Sequence, residues 1–245
     1  MPKVPPDTAF PPSDGVAAVD RALLVATAIA GAEGPVTLTE LARLTDLYKS
    51  TLLRLLASLE RSGLVLHRAD KRYALGPLAF VFGRSFDRTN GLREAVLPVL
   101  EWLVSQGTES PSFHVRHGDS TRLCLLRLDS NHSTLDRVRV GDVLPLHKGA
   151  AGKVLLRFGD SGMPAAATTA ELLFTSFGER DPLCGAVAVP MFGPNAMLLG
   201  ALSASGPLER FSELAVQRMN AVMLSAAERA SRALGGGWPE IRAGA

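Results

Sequence analysis

The sequence predicts a mixed α/β protein of the α+β class, with a small helical domain followed by a larger domain built on a mainly antiparallel sheet. Two patterns predict this division. Residues 16–76 show apolar residues at helical spacing and then a short hairpin, whereas residues 92–237 alternate short strand-like runs with helices. A chain of 245 residues, of which 47% are hydrophobic and 20% charged, is long enough to bury two such cores.

The N-terminal segment differs in composition from the rest of the chain. Residues 1–15 contain five prolines and little periodic hydrophobicity, so the burial of apolar surface cannot offset the entropy of ordering them. We expect a disordered arm there. From Val16 onward, apolar residues recur at three- and four-residue spacing, which predicts a first helix that ends between Gly31 and Pro35.

Two further helices are expected at short intervals. Thr37 and Glu40 form a T-x-x-E capping box, which marks the start of a short second helix. The third helix is expected over residues 48–62, where four leucines at i, i+3, i+4 and i+7 form an apolar stripe that must face a core: Leu52, Leu55, Leu56 and Leu59.

A hairpin completes the first domain. Leu64–Arg68 and Arg72–Leu75 are typical of two strands on either side of a polar turn. Three helices and a hairpin together predict a winged helix-turn-helix over residues 16–76. Residues 77–91 are expected to form a linker helix.

The second domain is expected over residues 92–237 and opens with a helix over 92–106. Two more helices are expected near 148–158 and 209–234. Five strands are expected, near 112–117, 121–128, 134–140, 185–192 and 197–205. Pro190 lies inside one of them, which favours a sheet edge or a bulge at that point.

Basic residues are concentrated in the third helix and the hairpin. Between Lys49 and Arg72 there are six basic residues and two acidic ones, an excess that suits a polyanion. The third helix carries residues able to enter the DNA major groove: Lys49, Ser50, Thr51 and Arg54. The hairpin adds residues able to reach the DNA backbone: Arg68, Lys71 and Arg72. The alternative is a solvated basic surface of a protein-interaction module that meets an acidic partner.

Five segments of the chain resemble the IclR family of transcriptional regulators. In the first domain they are VDRALLVATAI (19–29), TLTELARLTDL (37–47) and KSTLLRLLASLERSGLVLHRADKRYALG (49–76). In the second domain they are VGDVLPLHKGAAGKVLL (140–156) and LGALSASGP (199–207). The resemblance extends from Val16 to Gly236.

This resemblance implies a regulator rather than an enzyme. Family members join a winged helix through a linker helix to a GAF-like effector-binding domain, form homodimers and homotetramers, and repress or activate operons in response to small organic or aromatic acids. Because a two-fold dimer repeats its recognition helix, we expect a palindromic double-stranded DNA operator.

The resemblance also assigns residues to an effector pocket. The matching positions are Ala150 and Ala151 at a helix start, whose amides can hold an anion, Ser203 and Ser205 on one strand, and Ala186 on another. Ala186 stands where the family often has a pocket cysteine, and Cys184 lies two residues earlier on the same strand face. Arg137 and Arg139 share one face of the predicted strand 134–140, where they could hold a carboxylate as a fork. An exposed basic face is the alternative for these arginines, and ordinary strand packing is the alternative for the two serines.

One segment of the second domain departs from the family pattern. The stretch 157–182 is shorter than usual and lacks a helix that normally helps to close the pocket. A winged-helix interaction module whose ligand domain has lost effector binding is therefore the alternative function.

No catalytic motif or cofactor site is predicted. The run Gly149–Lys153 resembles the end of a phosphate loop, but His147 stands where its first glycine should be and Val154 replaces the residue that would bind magnesium. We expect no cofactor, and an enzyme carrying an accessory winged helix is disfavoured.

Metal and membrane sites are disfavoured as well. Cys124 and Cys184 lie 60 residues apart without metal-ligand spacing, and we expect both to be buried and reduced. His114 and His117 would face opposite sides of a strand, so they are not a ligand pair. The sequence shows neither a signal peptide nor an apolar run that could span a bilayer, which predicts a cytoplasmic protein without a membrane partner.

Overall fold

The computed structural model describes residues 15–243 and divides the chain into two compact units, which meet between Asn90 and Gly91. Apart from Gly15, the predicted disordered arm lies outside the described residues. Within the described part of the chain, no helix combines the length and the apolar character needed to cross a membrane.

The first unit has the predicted order of three helices, a hairpin and a fourth helix. Thr37 caps the second helix as predicted, because its hydroxyl accepts from the Glu40 amide at 3.2 Å while the Glu40 carboxylate accepts from the Thr37 amide at 2.7 Å. The elements are α1 (Ala17–Ala30), α2 (Leu38–Thr45), α3 (Lys49–Arg61), β1 (Val65–His67), β2 (Tyr73–Leu75) and α4 (Pro77–Asn90).

The core of the first unit confirms the leucine stripe of α3. It also shows which face of α1 is buried. From α3, the core takes the side chains of Leu52, Leu56 and Leu59. In α1, Val19 and Leu23 match the helical pattern but are exposed. The buried face of α1 is formed by Val25, Ala28 and Ile29.

The hairpin forms backbone hydrogen bonds with the segment just before α2. Strands β1 and β2 are antiparallel, with Val65 opposite Leu75. Val36, in the loop before α2, exchanges backbone hydrogen bonds of 2.9 and 2.7 Å with Tyr73 on β2. This third short segment fixes the hairpin beside the helices.

The second unit is built on a six-stranded sheet in the order β5-β4-β3-β9-β8-β7, in which every neighbouring pair is antiparallel. A short parallel pair joins β6 and β10. The elements are α5 (Leu92–Ser105), β3 (Ser110–His117), β4 (Thr121–Arg127), β5 (Val143–Pro145), α6 (Ala150–Phe158), β6 (Ala166–Ala167), α7 (Thr169–Leu172), β7 (Phe174–Phe177), β8 (Cys184–Phe192), β9 (Leu198–Pro207), α8 (Glu213–Ala233) and β10 (Glu240–Ile241).

The two faces of this sheet are covered by different helices. Because side chains alternate along a strand, Leu202 and Ala204 of β9 pack with α5 and α8 in one core cluster. Their neighbour Ala201 packs with α6 in a second cluster. Ser203 and Ser205 share the α6 side of β9, and the candidate site lies on that side.

Pro190 lies where the sequence predicts an edge or a bulge. Strand β7 pairs with β8 only from Gly185 to Ala188, so Pro190 lies beyond that ladder. The register with β9 shifts between Met191 and Phe192. The missing amide of Pro190 therefore interrupts no β7 ladder hydrogen bond.

The predicted strand 134–140 is wrong, because the chain is irregular there and β5 begins only at Val143. At one amide of this stretch, a local side chain takes the place of a neighbouring strand. The Arg139 amide donates to the Asp142 carboxylate at 2.7 Å, and Gly141 turns the chain with a φ of 92°.

The stretch 157–182 is more ordered than the sequence prediction implies. It contains a short helix, α7, which begins with a capping box formed by Thr168 and Glu171, and an edge strand, β7. The expectation that the segment lacks a helix usual in the family stays a prediction, and the one α-helix that begins within 159–182 is the four-residue α7.

Candidate functional site

Helix α3 packs against the core with one face and exposes the opposite face to solvent. Its leucine stripe lies in the core, while Lys49, Ser50 and Arg54 are exposed and Thr51 is partly buried. Within residues 15–243, neither Lys49 nor Arg54 makes an ion pair. Two cations with uncommitted side chains therefore lie on the open face of α3.

The three basic residues of the hairpin differ in how they are held. Lys71 lies in the turn with a φ of 61° and has no ion pair among the described residues. Arg68 lies 3.6 Å from the Asp70 carboxylate in the same turn. Arg72 turns back toward α2. Lys71 is thus the most available of the three for an external anion.

Arg72 fastens the hairpin to α2. Its Nη1 donates to the carbonyl of Pro35 at 3.1 Å and lies 3.9 Å from the Glu40 carboxylate. The backbone and side-chain hydrogen bonds from Thr37, with a smaller contribution from Arg72, lower the pKa of Glu40. Arg72 therefore positions the hairpin in addition to any contact that it makes with DNA.

Six of the seven predicted effector residues line one cavity in the second unit: Ala150, Ala151, Cys184, Ala186, Ser203 and Ser205. Strand pairing brings four of them together, because Ala186 lies opposite Ser205 across β8 and β9. The cavity is small, about 30 Å³. A single water molecule needs about 10–15 Å³ of such space.

Arg137 does not line this cavity, which corrects the predicted arginine fork. Because strand 134–140 does not form, Arg137 and Arg139 are exposed, and the buried side chain between them is Val138. It is Val138 that contributes to the cavity wall.

The two serine hydroxyls donate within the protein. Ser203 Oγ donates to the Val187 carbonyl at 3.1 Å, and Ser205 Oγ donates to the Asp136 carboxylate at 2.8 Å. In this arrangement both hydroxyls offer only acceptor lone pairs to a ligand. An anion would need its donors from elsewhere, or a rotation of these hydroxyls.

Donors for an anion are found at the start of α6. The first-turn amides of Ala150 and Ala151 have no acceptor within the helix. The preceding Gly149 amide donates to the Glu179 carboxylate at 3.3 Å, and the same carboxylate binds Lys153 Nζ at 2.5 Å. The hydrogen bond from Lys153 is the main reason why the pKa of Glu179 is lowered.

A buried arginine that the sequence analysis missed lies against this helix start. Arg122 on β4 is only 3% exposed, and its Nη1 donates to the carbonyls of Pro145 and Lys148 at 2.6 and 2.5 Å. Among the described residues, no carboxylate lies within ion-pair distance of it. Burial, together with the nearby Arg180, lowers the pKa of Arg122 to about 10.

A buried histidine faces the same cavity. His114 on β3 is 3% exposed, and its Nε2 lies 3.0 Å from Ser112 Oγ. Burial and the positive charges of three arginines, Arg122 first among them, hold the pKa of His114 well below its usual range. The imidazole is therefore neutral at physiological pH.

A buried ion-pair network borders the cavity on the other side. The fully buried carboxylate of Asp136 binds Arg127 at 2.5 Å and lies 3.6 Å from Arg180. Arg180 and Asp181 also line the cavity. Asp136, Arg180 and Asp181 lie in irregular segments between strands, where no local sequence pattern predicts that they meet.

The cysteines and histidines form no metal centre. Cys124 is buried, and burial raises the pKa of its thiol to about 12, whereas Cys184 is only partly buried. No group of three metal-ligating side chains occurs within residues 15–243.

Comparison with known proteins matches both the first unit and the whole chain. The model of the IclR helix-turn-helix domain matches residues 18–69. The HTH-type transcriptional regulator BhcR of Paracoccus denitrificans is 28% identical, covering 89% of this chain and 88% of its own. The transcriptional repressor IclR of Escherichia coli is 27% identical, covering 94% of this chain and 95% of its own.

Solved structures show the same fold. An IclR transcriptional regulator from a Silicibacter species superimposes with a TM-score of 0.75 at 22% identity, over 91% of this chain and 98% of its own. An IclR homologue from Microbacterium hydrocarbonoxydans, complexed with 4-hydroxybenzoate, gives a TM-score of 0.64 at 20% identity, over 88% of this chain and 99% of its own.

Proposed function

We propose that the chain, like the IclR-family transcriptional regulators that it resembles, binds a palindromic operator as a homodimer or homotetramer and that a small organic acid modulates this binding. The E. coli relative is named a repressor, and we infer repression for this chain too. The two-fold assembly is inferred from the family resemblance and would present two copies of α3 to matching half-sites.

The observation that carries the DNA-binding proposal is the orientation of α3. Its apolar stripe is buried, so Lys49, Ser50 and Arg54 remain on the open face, with Lys71 available in the hairpin. A helix that presents polar and basic residues in this way suits the major groove. Thr51, Arg68 and Arg72 are the remaining residues that we propose for DNA contacts.

The operator can be found by selecting genomic fragments with the full chain and measuring their affinity by fluorescence anisotropy at several salt concentrations. We expect one or a few fragments to bind at least about a thousandfold more tightly than random DNA. Binding of every fragment with the same affinity would contradict a sequence-specific operator. If the chain binds an acidic protein and shows no preference for any DNA fragment, the protein-interaction module is favoured instead.

The proposal for effector binding rests on the cavity beside α6. The amides of Ala150 and Ala151 offer donors, and Cys184, Ala186, Ser203 and Ser205 form the rest of the matching wall. A structural neighbour binds 4-hydroxybenzoate, which supports a small acid as the ligand here.

Thermal shift against a panel of small organic and aromatic acids tests effector binding. A ligand stabilises the protein by about 2.7 kcal/mol at a hundredfold excess over its dissociation constant, so at least one acid is expected to raise the melting temperature. The same acid should change operator affinity. Ser203→Val should abolish the stabilisation. If no acid stabilises the protein, or if Ser203→Val unfolds it without ligand, the cavity has a structural role only.

A further inference from the structure

The exposed face of α3 carries one large apolar side chain among its polar ones. Leu53 is 50% exposed and lies outside the buried leucine stripe of the helix. Its neighbours on the same face, one turn before and one turn after it, are Lys49 and Ala57, and both are exposed. A single exposed leucine is ordinary on a protein surface. What distinguishes Leu53 is its position among the residues that we propose for DNA contacts.

The charges around Leu53 suit a polyanion. Lys49 lies one turn before it, Arg54 follows it directly, and Arg61 ends the helix with its Nη2 3.5 Å from the uncharged hydroxyl of Ser58. This face therefore has the charge that complements a DNA backbone. Ala57 is too short to hold the helix away from the base pairs. When α3 enters the major groove, Leu53 is consequently buried against their edges.

The base pair that meets Leu53 loses water when the complex forms. In the major groove, guanine, cytosine and adenine present hydrogen-bond donors or acceptors, and a leucine side chain can pair with none of them. A polar group that is buried without a partner costs free energy. Thymine alone adds an apolar 5-methyl group, which can pack against leucine. Leucine at this position therefore favours thymine by contact and disfavours the other bases by desolvation.

We propose that Leu53 is a specificity-determining residue that selects one thymine in each half-site of the operator through the 5-methyl group of that base. Consecutive Cα atoms are about 3.8 Å apart, close to the rise of about 3.4 Å per base pair. This thymine therefore lies within about two base pairs of the one that Arg54 contacts. The inference rests on the proposed DNA-binding function and adds the base that an apolar residue recognises.

Thymine analogues in the selected operator test this contact with the parent chain alone. Each thymine is replaced in turn by deoxyuridine in both half-sites, and affinity is measured by fluorescence anisotropy. Uracil keeps the hydrogen-bonding groups of thymine and lacks only the methyl group. Burial of one methyl group is equivalent to about fourfold in affinity, so replacement in both half-sites should weaken binding about 10- to 20-fold. In an operator with cytosine at that position, 5-methylcytosine should recover part of this loss.

A double-mutant cycle assigns the methyl contact to Leu53. Leu53→Ala should weaken operator binding and should bind the thymine and uracil operators with equal affinity. Leu53→Gln, which has a similar size but is polar, should lose the thymine preference as well. Lys71→Ala should weaken binding to both operators and leave the ratio between them unchanged. Leu156→Ala, which replaces a helical leucine of the second unit that is 51% exposed, should leave both affinities unchanged.

The outcomes separate this inference from the proposed function. If no fragment is bound in preference to random DNA, the operator function and this inference both fail. If an operator is bound specifically but no thymine within about two base pairs of the Arg54 position responds to uracil, only this inference is overturned. It is also overturned if either Leu53 variant, shown to be folded by circular dichroism, keeps the thymine-to-uracil ratio of the parent chain.

Discussion

Replacing Asp136 by Asn removes a carboxylate that lies beside two arginines, Arg127 and Arg180, in the second unit. This side chain is fully buried and binds Arg127 at 2.5 Å and Ser205 at 2.8 Å, with Arg180 at 3.6 Å. Asparagine fills the same space but removes the carboxylate from Arg180 and leaves Arg127 with only the exposed carboxylate of Asp129. Breaking a buried ion pair in this way costs about 3–5 kcal/mol. At about 2–4 °C per kcal/mol for a domain of this size, Asp136→Asn should lower the melting temperature by roughly 6–20 °C.

The chain offers a matched control for this substitution. Asp129 binds the other side of the same Arg127 at 3.0 Å, but its side chain is 62% exposed. Asp129→Asn should therefore cost no more than about 1 kcal/mol. Differential scanning calorimetry of both variants of the full chain separates the two cases. Equal melting temperatures for the two variants would show that burial of the Asp136 carboxylate does not determine how much it contributes to stability.

Four further predictions concern DNA binding, stability and pH. Arg54→Ala should cost about 1–3 kcal/mol of operator affinity and relax preference at one base pair, whereas a loss shared by all sequences would make Arg54 a backbone contact. Lys71→Ala should weaken binding to all sequences and reduce the salt dependence by about one phosphate contact. Arg72→Ala should weaken DNA binding in the same way. It should also lower the melting temperature, because the Pro35 carbonyl loses the hydrogen bond from Arg72. His114 has a folded-state pKa below its unfolded value, so the unfolded chain binds more protons and stability falls as pH drops below about 6.5, by at most about 1.4 kcal/mol per pH unit. Urea unfolding between pH 5 and 7.5 should show a flatter profile for His114→Asn, and an unchanged profile would refute this cause.

The helical unit could be predicted closely because its signals are local. The capping box of Thr37 and Glu40 and the leucines of α3 lie within a few residues of one another, and no distant contact overrides them. The exposed Val19 shows the limit of this approach, since helical spacing alone does not decide which side of α1 meets the core.

The cavity could be predicted only in part because its chemistry depends on distant residues. The small residues at the start of α6 and the serines of β9 were found from motif resemblance. The burial of Arg122 and His114 arises from the pairing of β3, β4 and β9, which the local sequence does not specify. The predicted strand containing Arg137 does not form; the chain is irregular there, and the Arg139 amide donates to the Asp142 carboxylate rather than to a neighbouring strand.

The glycine at position 152 limits how this site can diversify. A methyl group there would collide with the Leu146 carbonyl oxygen and would lie 2.9 Å from Arg122 Nη1. Because the carbonyl belongs to the backbone, the helix would have to move away from the segment that follows β5 to make room for any larger residue. A side chain at position 152 would therefore disturb the packing of α6 whatever residue stood at position 122.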